Sequence, residues 1–174
     1  GTEFHHRDDT PGAPRKYDRA QETVDRSVEE LTEHLLALPC RRIIFTGGEP
    51  LLQQRELGEL IQRLKEADPS FYIEIETNGT ISPVGLAADL IDQFNVSPKL
   101  AHSGNDTAIR HKLETLRFYA NDPRANFKIV VESPPDLEEV KSLVVETEMP
   151  LSRVWLMPEG RSTQELQQRE QWLA

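Results

Sequence analysis

Apolar residues recur along this chain in two alternating rhythms. Ser27-Val28-Glu29-Glu30 has the spacing of a capping box, in which a serine hydroxyl and a glutamate three residues on satisfy free N–H groups at a helix start. Val28, Leu31, Leu35 and Leu38 then fall on one stripe, and Pro39 predicts the end of that helix. An apolar, β-branched run predicts a buried strand over 42–46. Leu57, Leu60, Ile61 and Leu64 mark a second helix, closed by Asp68-Pro69. Beyond it the pattern predicts strand 71–76, a short helix near 83–91, strand 93–97 and a helix within 107–120. Strand 127–131, helix 136–147, strand 153–157 and helix 162–173 follow. Five strands each precede a helix, so an α/β fold is expected, with a parallel sheet and right-handed crossovers. The alternation alone fits a doubly wound sheet and an open barrel equally.

One octapeptide, Ile43-Ile44-Phe45-Thr46-Gly47-Gly48-Glu49-Pro50, changes the picture. A strand ends abruptly in two glycines, a carboxylate and a proline. Gly47 and Gly48 remove side chains where a ligand can approach the backbone, and Glu49 sets a negative charge beside that opening. As a bare pattern it also fits an ordinary strand-to-helix turn. Two more strands run into small polar residues, Glu76-Thr77-Asn78-Gly79-Thr80 and Val96-Ser97-Pro98-Lys99-Leu100-Ala101. A fourth ends in Met157-Pro158-Glu159-Gly160. All four segments sit at the C-terminal ends of their strands, where parallel α/β folds bind ligands.

Composition narrows the class. A chain of 174 residues, 37% hydrophobic and 29% charged, is long enough for a core and is expected to be one domain, 1–174. The net charge of −10 argues against a general nucleic-acid partner. No apolar run approaches a membrane span, so no membrane partner is expected. The one cysteine, Cys40, fits a reducing cytoplasm and reads as a small buried residue at a strand start. His34 and His111 read as surface or boundary residues, His102 as a neighbour of the Ser-Pro-Lys segment, and 132–148 as a helix with its charges outward.

The four segments, in this order, resemble the TGGEP, ETNGT, VSPKLA and last-strand motifs of the 7-carboxy-7-deazaguanine synthase family of radical S-adenosylmethionine (SAM) enzymes. The resemblance runs from about Asp9 to the C-terminus. It implies an open, partial (β/α) barrel of the radical SAM type. It implies that Gly47, Gly48 and Glu49 hold the SAM amino group, that Ser97, Pro98 and Lys99 touch SAM, and that Met157, Pro158, Glu159 and Gly160 lie beside the adenine. Thr46, Glu76 and Asn78 are implied to face a pterin substrate. Thr10 matches a threonine that helps bind Mg²⁺. The implied reaction is radical SAM ring contraction of 6-carboxy-5,6,7,8-tetrahydropterin to 7-carboxy-7-deazaguanine, a carbon–nitrogen lyase step in 7-deazapurine (queuosine) biosynthesis. A flavodoxin-type electron donor and a homodimer are implied as partners.

The chain departs from the family at its N-terminus. Radical SAM enzymes hold a 4Fe–4S cluster with three thiolates of a CxxxCxxC loop. Here Asp8, His5 and Gly1 fall where those cysteines belong, so this chain is expected to carry none of the cluster ligands. His5, His6, Asp8 and Asp9 read as solvated rather than metal-binding. Gly1-Thr2-Glu3-Phe4 is the translation of two adjacent restriction sites, and the first barrel strand and a C-terminal segment are expected to be missing. Two other readings stay open: a degenerate, cluster-less SAM- or pterin-binding protein, and a different radical SAM reaction.

Overall fold

The computed structural model describes residues 23–173. The capping box forms as its spacing predicts. Glu30 N–H donates to Ser27 Oγ at 3.2 Å and Ser27 N–H to Glu30 Oε2 at 2.9 Å, opening α1 (Val28–Leu36). That helix ends two residues early, and Leu38 lies outside the stripe, 42% exposed. Five strands follow among the described residues: β1 (Arg42–Phe45), β2 (Tyr72–Thr77), β3 (Gln93–Val96), β4 (Ala125–Val131) and β5 (Val154–Pro158). Between and after them lie α2 (Gln54–Ala67), α3 (Gly85–Leu90), α4 (Thr107–Arg110), α5 (Leu113–Asn121), α6 (Asp136–Thr147) and α7 (Thr163–Leu173).

The strands form one sheet in the order β1-β2-β3-β4-β5, and every pairing is parallel. This order separates the two architectures that alternation left open. A doubly wound sheet reverses its direction of progress and covers both faces with helices; a barrel never reverses, and its crossovers put all helices outside. Here the helix-facing side carries Ile73, Ile75, Phe94, Val96 and Phe127, all fully buried against Leu60, Ile61, Leu64, Leu116 and Tyr119. The opposite face carries Glu74, Glu76, Gln93, Asn95, Asn126 and Lys128 at the alternate positions. The fold is thus a partial, open (β/α) barrel with an apolar outside and a polar concave face.

Several expectations need correction. The strand over 42–46 was expected to be buried, but among the described residues β1 lies at the edge of the sheet, and Ile44, paired with Glu74 on the concave face, is 52% exposed. Cys40, just before that strand, is exposed, not buried; its Sγ lies 3.2 Å from the Arg42 carbonyl. The helix within 107–120 is two helices. His111 breaks them apart with an extended backbone (φ −109°, ψ 89°), its ring turned to the Lys99 carbonyl at 3.1 Å. The acidic stretch 132–148 does not point wholly outward: Asp136 is buried and Glu139 pairs with the buried Arg110. The expected loss of the first barrel strand falls outside the described residues.

Candidate functional site

β1 delivers Thr46, Gly47 and Gly48 to the surface at its C-terminal end. Gly47 takes a φ of +118°, a conformation that side chains with a Cβ rarely adopt. A Cβ built at Gly47 or Gly48 meets nothing within 4 Å, so both glycines border open space rather than packed protein. The next residue is held firmly. Glu49 caps the 3₁₀ turn Pro50–Gln53 by accepting from Leu51 N–H at 3.1 Å. Its carboxylate also accepts from Thr77 Oγ1 at 2.9 Å and from Asn78 N–H at 2.8 Å. The charge that the sequence places beside an opening therefore also ties the ends of β1 and β2 together.

Asn78 faces its own turn. Its Oδ1 accepts from Thr80 N–H at 2.9 Å and from Thr80 Oγ1 at 2.6 Å. Gly79 follows with φ +76°. From β3, Ser97 N–H donates to the Thr77 carbonyl at 2.8 Å, which brings the Ser-Pro-Lys segment against the same strand end. Pro98 is buried and Lys99 half-buried, not a solvated surface charge. Lys99 Nζ donates to Ser97 Oγ at 3.2 Å. Burial holds the Lys99 pKa below the usual lysine range, against the opposing pull of Glu76 and Glu49. An ammonium in that state gains from an added anionic partner.

β5 ends in the fourth segment. Met157 is 45% exposed, and Glu159 N–H extends the pairing by donating to the Val131 carbonyl at 2.8 Å. The Glu159 carboxylate is taken by Arg169 of α7. Gly160 packs against Leu166, where a Cβ would approach Cδ2 to 2.8 Å. Thus the structure gathers Thr46, Gly47, Gly48, Glu49, Asn78, Ser97, Pro98 and Lys99 at one end of the sheet, with Met157–Gly160 two strands further along. Glu76 lies lower, on the concave face, paired with Lys128 Nζ at 2.9 Å. Thr10, the candidate Mg²⁺ ligand, lies outside the described residues, as do His5 and Asp8.

The concave face is the part that sequence reasoning missed. Glu74, 3% exposed, accepts from Arg42 Nε, from Asn95 Nδ2 at 3.0 Å and from Gln93 Nε2 at 3.3 Å. Beside it a cleft of about 420 Å³ is lined by Gln93, Asn95, Asn126, Lys128, Trp155 and Met157, among others. Trp155 leaves 61% of its surface exposed. Amides, one ammonium and an open indole face suit a planar heterocycle with both donors and acceptors. A signal was present: parallel strands covered on both sides read as continuous apolar runs, whereas Ile73-Glu74-Ile75-Glu76 and Phe94-Asn95-Val96 alternate.

Among the described residues no group of three or more His, Cys, Asp or Glu is placed to hold a metal ion. The one thiol, Cys40, stands before β1, at the opposite end from the glycine loop. The four strand residues between them span roughly 13 Å. A three-thiolate cluster therefore does not fit the described residues.

Comparison with known proteins agrees with this geometry. Residues 6–117 match the model of the radical SAM superfamily. A 7-carboxy-7-deazaguanine synthase of Pyrobaculum aerophilum is 38% identical over 82% of this chain and 61% of its own length. Another from Rhodopirellula baltica is 29% identical over 95% of this chain and 65% of its own length. An S-adenosylmethionine-dependent nucleotide dehydratase of Fibrobacter is 31% identical over 66% of this chain and 40% of its length. The chain thus spans less than two thirds of each of these relatives.

Proposed function

The chain belongs to the radical SAM superfamily, and from that premise we propose that it supplies the SAM- and substrate-binding surface for contraction of 6-carboxy-5,6,7,8-tetrahydropterin to 7-carboxy-7-deazaguanine. One observation carries the reading. Loops from separate strands converge at one sheet end, directly above a polar concave face. In this reading the backbone at Gly47 and Gly48, with the Glu49 charge behind it, receives the SAM ammonium. Lys99 and Ser97 receive the methionine carboxylate, and Met157–Gly160 border the adenine. Thr46, Asn78 and Glu76 face the pterin. Thr10 would share a Mg²⁺ with the substrate and help orient the reacting ring.

The superfamily's 4Fe–4S cluster supplies the reducing electron for SAM cleavage when bound. One cysteine cannot furnish its three thiolates, so this chain's own residues contribute binding and orientation. A flavodoxin-type electron donor, a homodimer, a cytoplasmic setting and a single domain over 1–174 belong to the same reading. The single cysteine also favours a second reading, a cluster-less protein that binds SAM or a pterin without turnover.

Isothermal titration with SAM, with 6-carboxytetrahydropterin and with a nucleotide triphosphate tests the site. The expected result is that SAM and the pterin each bind and that Lys99→Met weakens SAM. Binding of the nucleotide in place of the pterin would turn the reading toward a dehydratase-type substrate. No binding of either SAM or pterin would overturn it. Conversion of the pterin by the isolated chain, followed by mass spectrometry, would reject the binding-only reading.

A further inference from the structure

Lys99 belongs to a turn that leaves β3 without regular secondary structure, yet its position is constrained from a distance. The constraint comes from the first turn of α6, packed against the segment 97–111, which includes α4. Glu139, 21% exposed at its side chain, gathers three groups of that segment. Its Oε2 accepts from Ala101 N–H at 2.9 Å, and its Oε1 accepts from the Arg110 guanidinium and lies 3.6 Å from His111 Nε2. The same His111 Nε2 stands 3.1 Å from the Lys99 carbonyl. A carbonyl only accepts, so the ring carries its proton on Nε2 and donates it. In the same first turn Asp136 Oδ2 lies 3.2 Å from His102 Nδ1, fixing the segment at a second point.

Arg110 is buried to 8% exposure, and its Nε has no partner among the described residues, so its charge is answered chiefly by Glu139. His111 interrupts what the sequence pattern predicts as a continuous helix, and the contact it makes there is with the residue whose half-buried ammonium donates to Ser97 Oγ. A lysine has four rotatable side-chain bonds, so fixing its backbone limits where the ammonium can reach.

We propose that His111 and Glu139 are positioning residues, which clamp the Lys99 backbone so that its ammonium meets the carboxylate of a bound α-amino acid sulfonium. The inference rests on the reading of Lys99 as a SAM contact. Glu139 also answers the buried Arg110, so Glu139 variants risk the fold, and His111 is the cleaner test. SAM and decarboxylated SAM differ by the carboxylate alone. The ratio of their affinities by calorimetry therefore reports on Lys99, while thermal unfolding reports on the fold.

The unaltered chain is expected to prefer SAM over decarboxylated SAM, and Lys99→Met to abolish that preference. His111→Phe should reduce the preference by roughly two- to tenfold, the span of one hydrogen bond, with decarboxylated SAM bound as before. His111→Gln, which retains an amide donor, should restore most of it. Glu138→Gln, on the exposed side of the same helix turn, should leave the ratio unchanged. Equal loss of both ligands in His111→Phe would make the contact merely structural and overturn the inference. Loss of the preference in Lys99→Met but not in His111→Phe would overturn the positioning role and leave Lys99 in place. An unaltered chain that binds both ligands equally would overturn the assignment of Lys99, and the positioning role with it.

Discussion

In the proposed reading Glu49 serves two demands with one side chain. Its carboxylate accepts from Leu51 N–H of the 3₁₀ turn after β1 and from Thr77 Oγ1 and Asn78 N–H at the end of β2. A ligand ammonium would add to that set rather than replace any member, since a carboxylate offers about four acceptor sites. Glu49→Gln is therefore expected to lower stability as well as ligand affinity, because an amide NH₂ would meet donors it cannot satisfy. A loss of roughly 1–3 kcal/mol, read as a lowered midpoint in urea unfolding, is the expected size. An unchanged midpoint would show that those donors are satisfied by water and that Glu49 is free for ligand. Lys99 illustrates the converse, a charge with one hydroxyl partner whose burial lowers its pKa.

At the scale of elements, the junction after β2 shows why a turn sequence matters to packing. Asn78-Gly79 reads in sequence as a common turn, and the structure adds a second constraint. A Cβ at Gly79 would approach Leu116 Cδ2 and Val96 Cγ1 to 2.8 Å each, at a φ of +76°. Leu116 belongs to α5 and Val96 to β3, so the glycine allows the turn to sit directly on the core. Gly79→Ala should cost roughly 1–3 kcal/mol through overpacking alone, with further strain from the backbone. Chemical denaturation measures this, and a stability equal to the parent's would mean that the turn moves aside freely. Because the Glu49 and Ser97 contacts share this strand end, the substitution should weaken SAM binding in parallel.

For the molecule as a whole, the polar concave face lines the cleft, and the apolar helix layer holds the sheet. Neither places a thiolate triad near the glycine loop among the described residues. Anaerobic reconstitution with iron and sulfide should accordingly yield far less than one 4Fe–4S cluster per chain. Quantitative iron and sulfide analysis with electron paramagnetic resonance checks this. A stoichiometric cluster that cleaves SAM would show that other residues of the chain serve as ligands. Among the described residues no helix is long and apolar enough to cross a membrane.

The periodicity of the chain was enough for the element order. Strand-then-helix alternation sets a parallel sheet, because a strand can rejoin its neighbour in parallel only by a crossover. The four loop segments were legible because glycine, proline and a single fixed charge leave strong local marks. Three things were decided by tertiary structure alone. The strand order separated barrel from doubly wound sheet, since both share one local pattern. The exposure of Ile44 followed from its pairing with Glu74 on the open concave face, and apolar composition says nothing of which face of a sheet stays uncovered. The clamp of Glu139 and His111 on Lys99 joins residues 12 and 28 positions apart in sequence, contacts that no local rule encodes. Local interactions write themselves into neighbouring residues, whereas a hydrogen bond across a loop exists only once the sheet has brought its ends together.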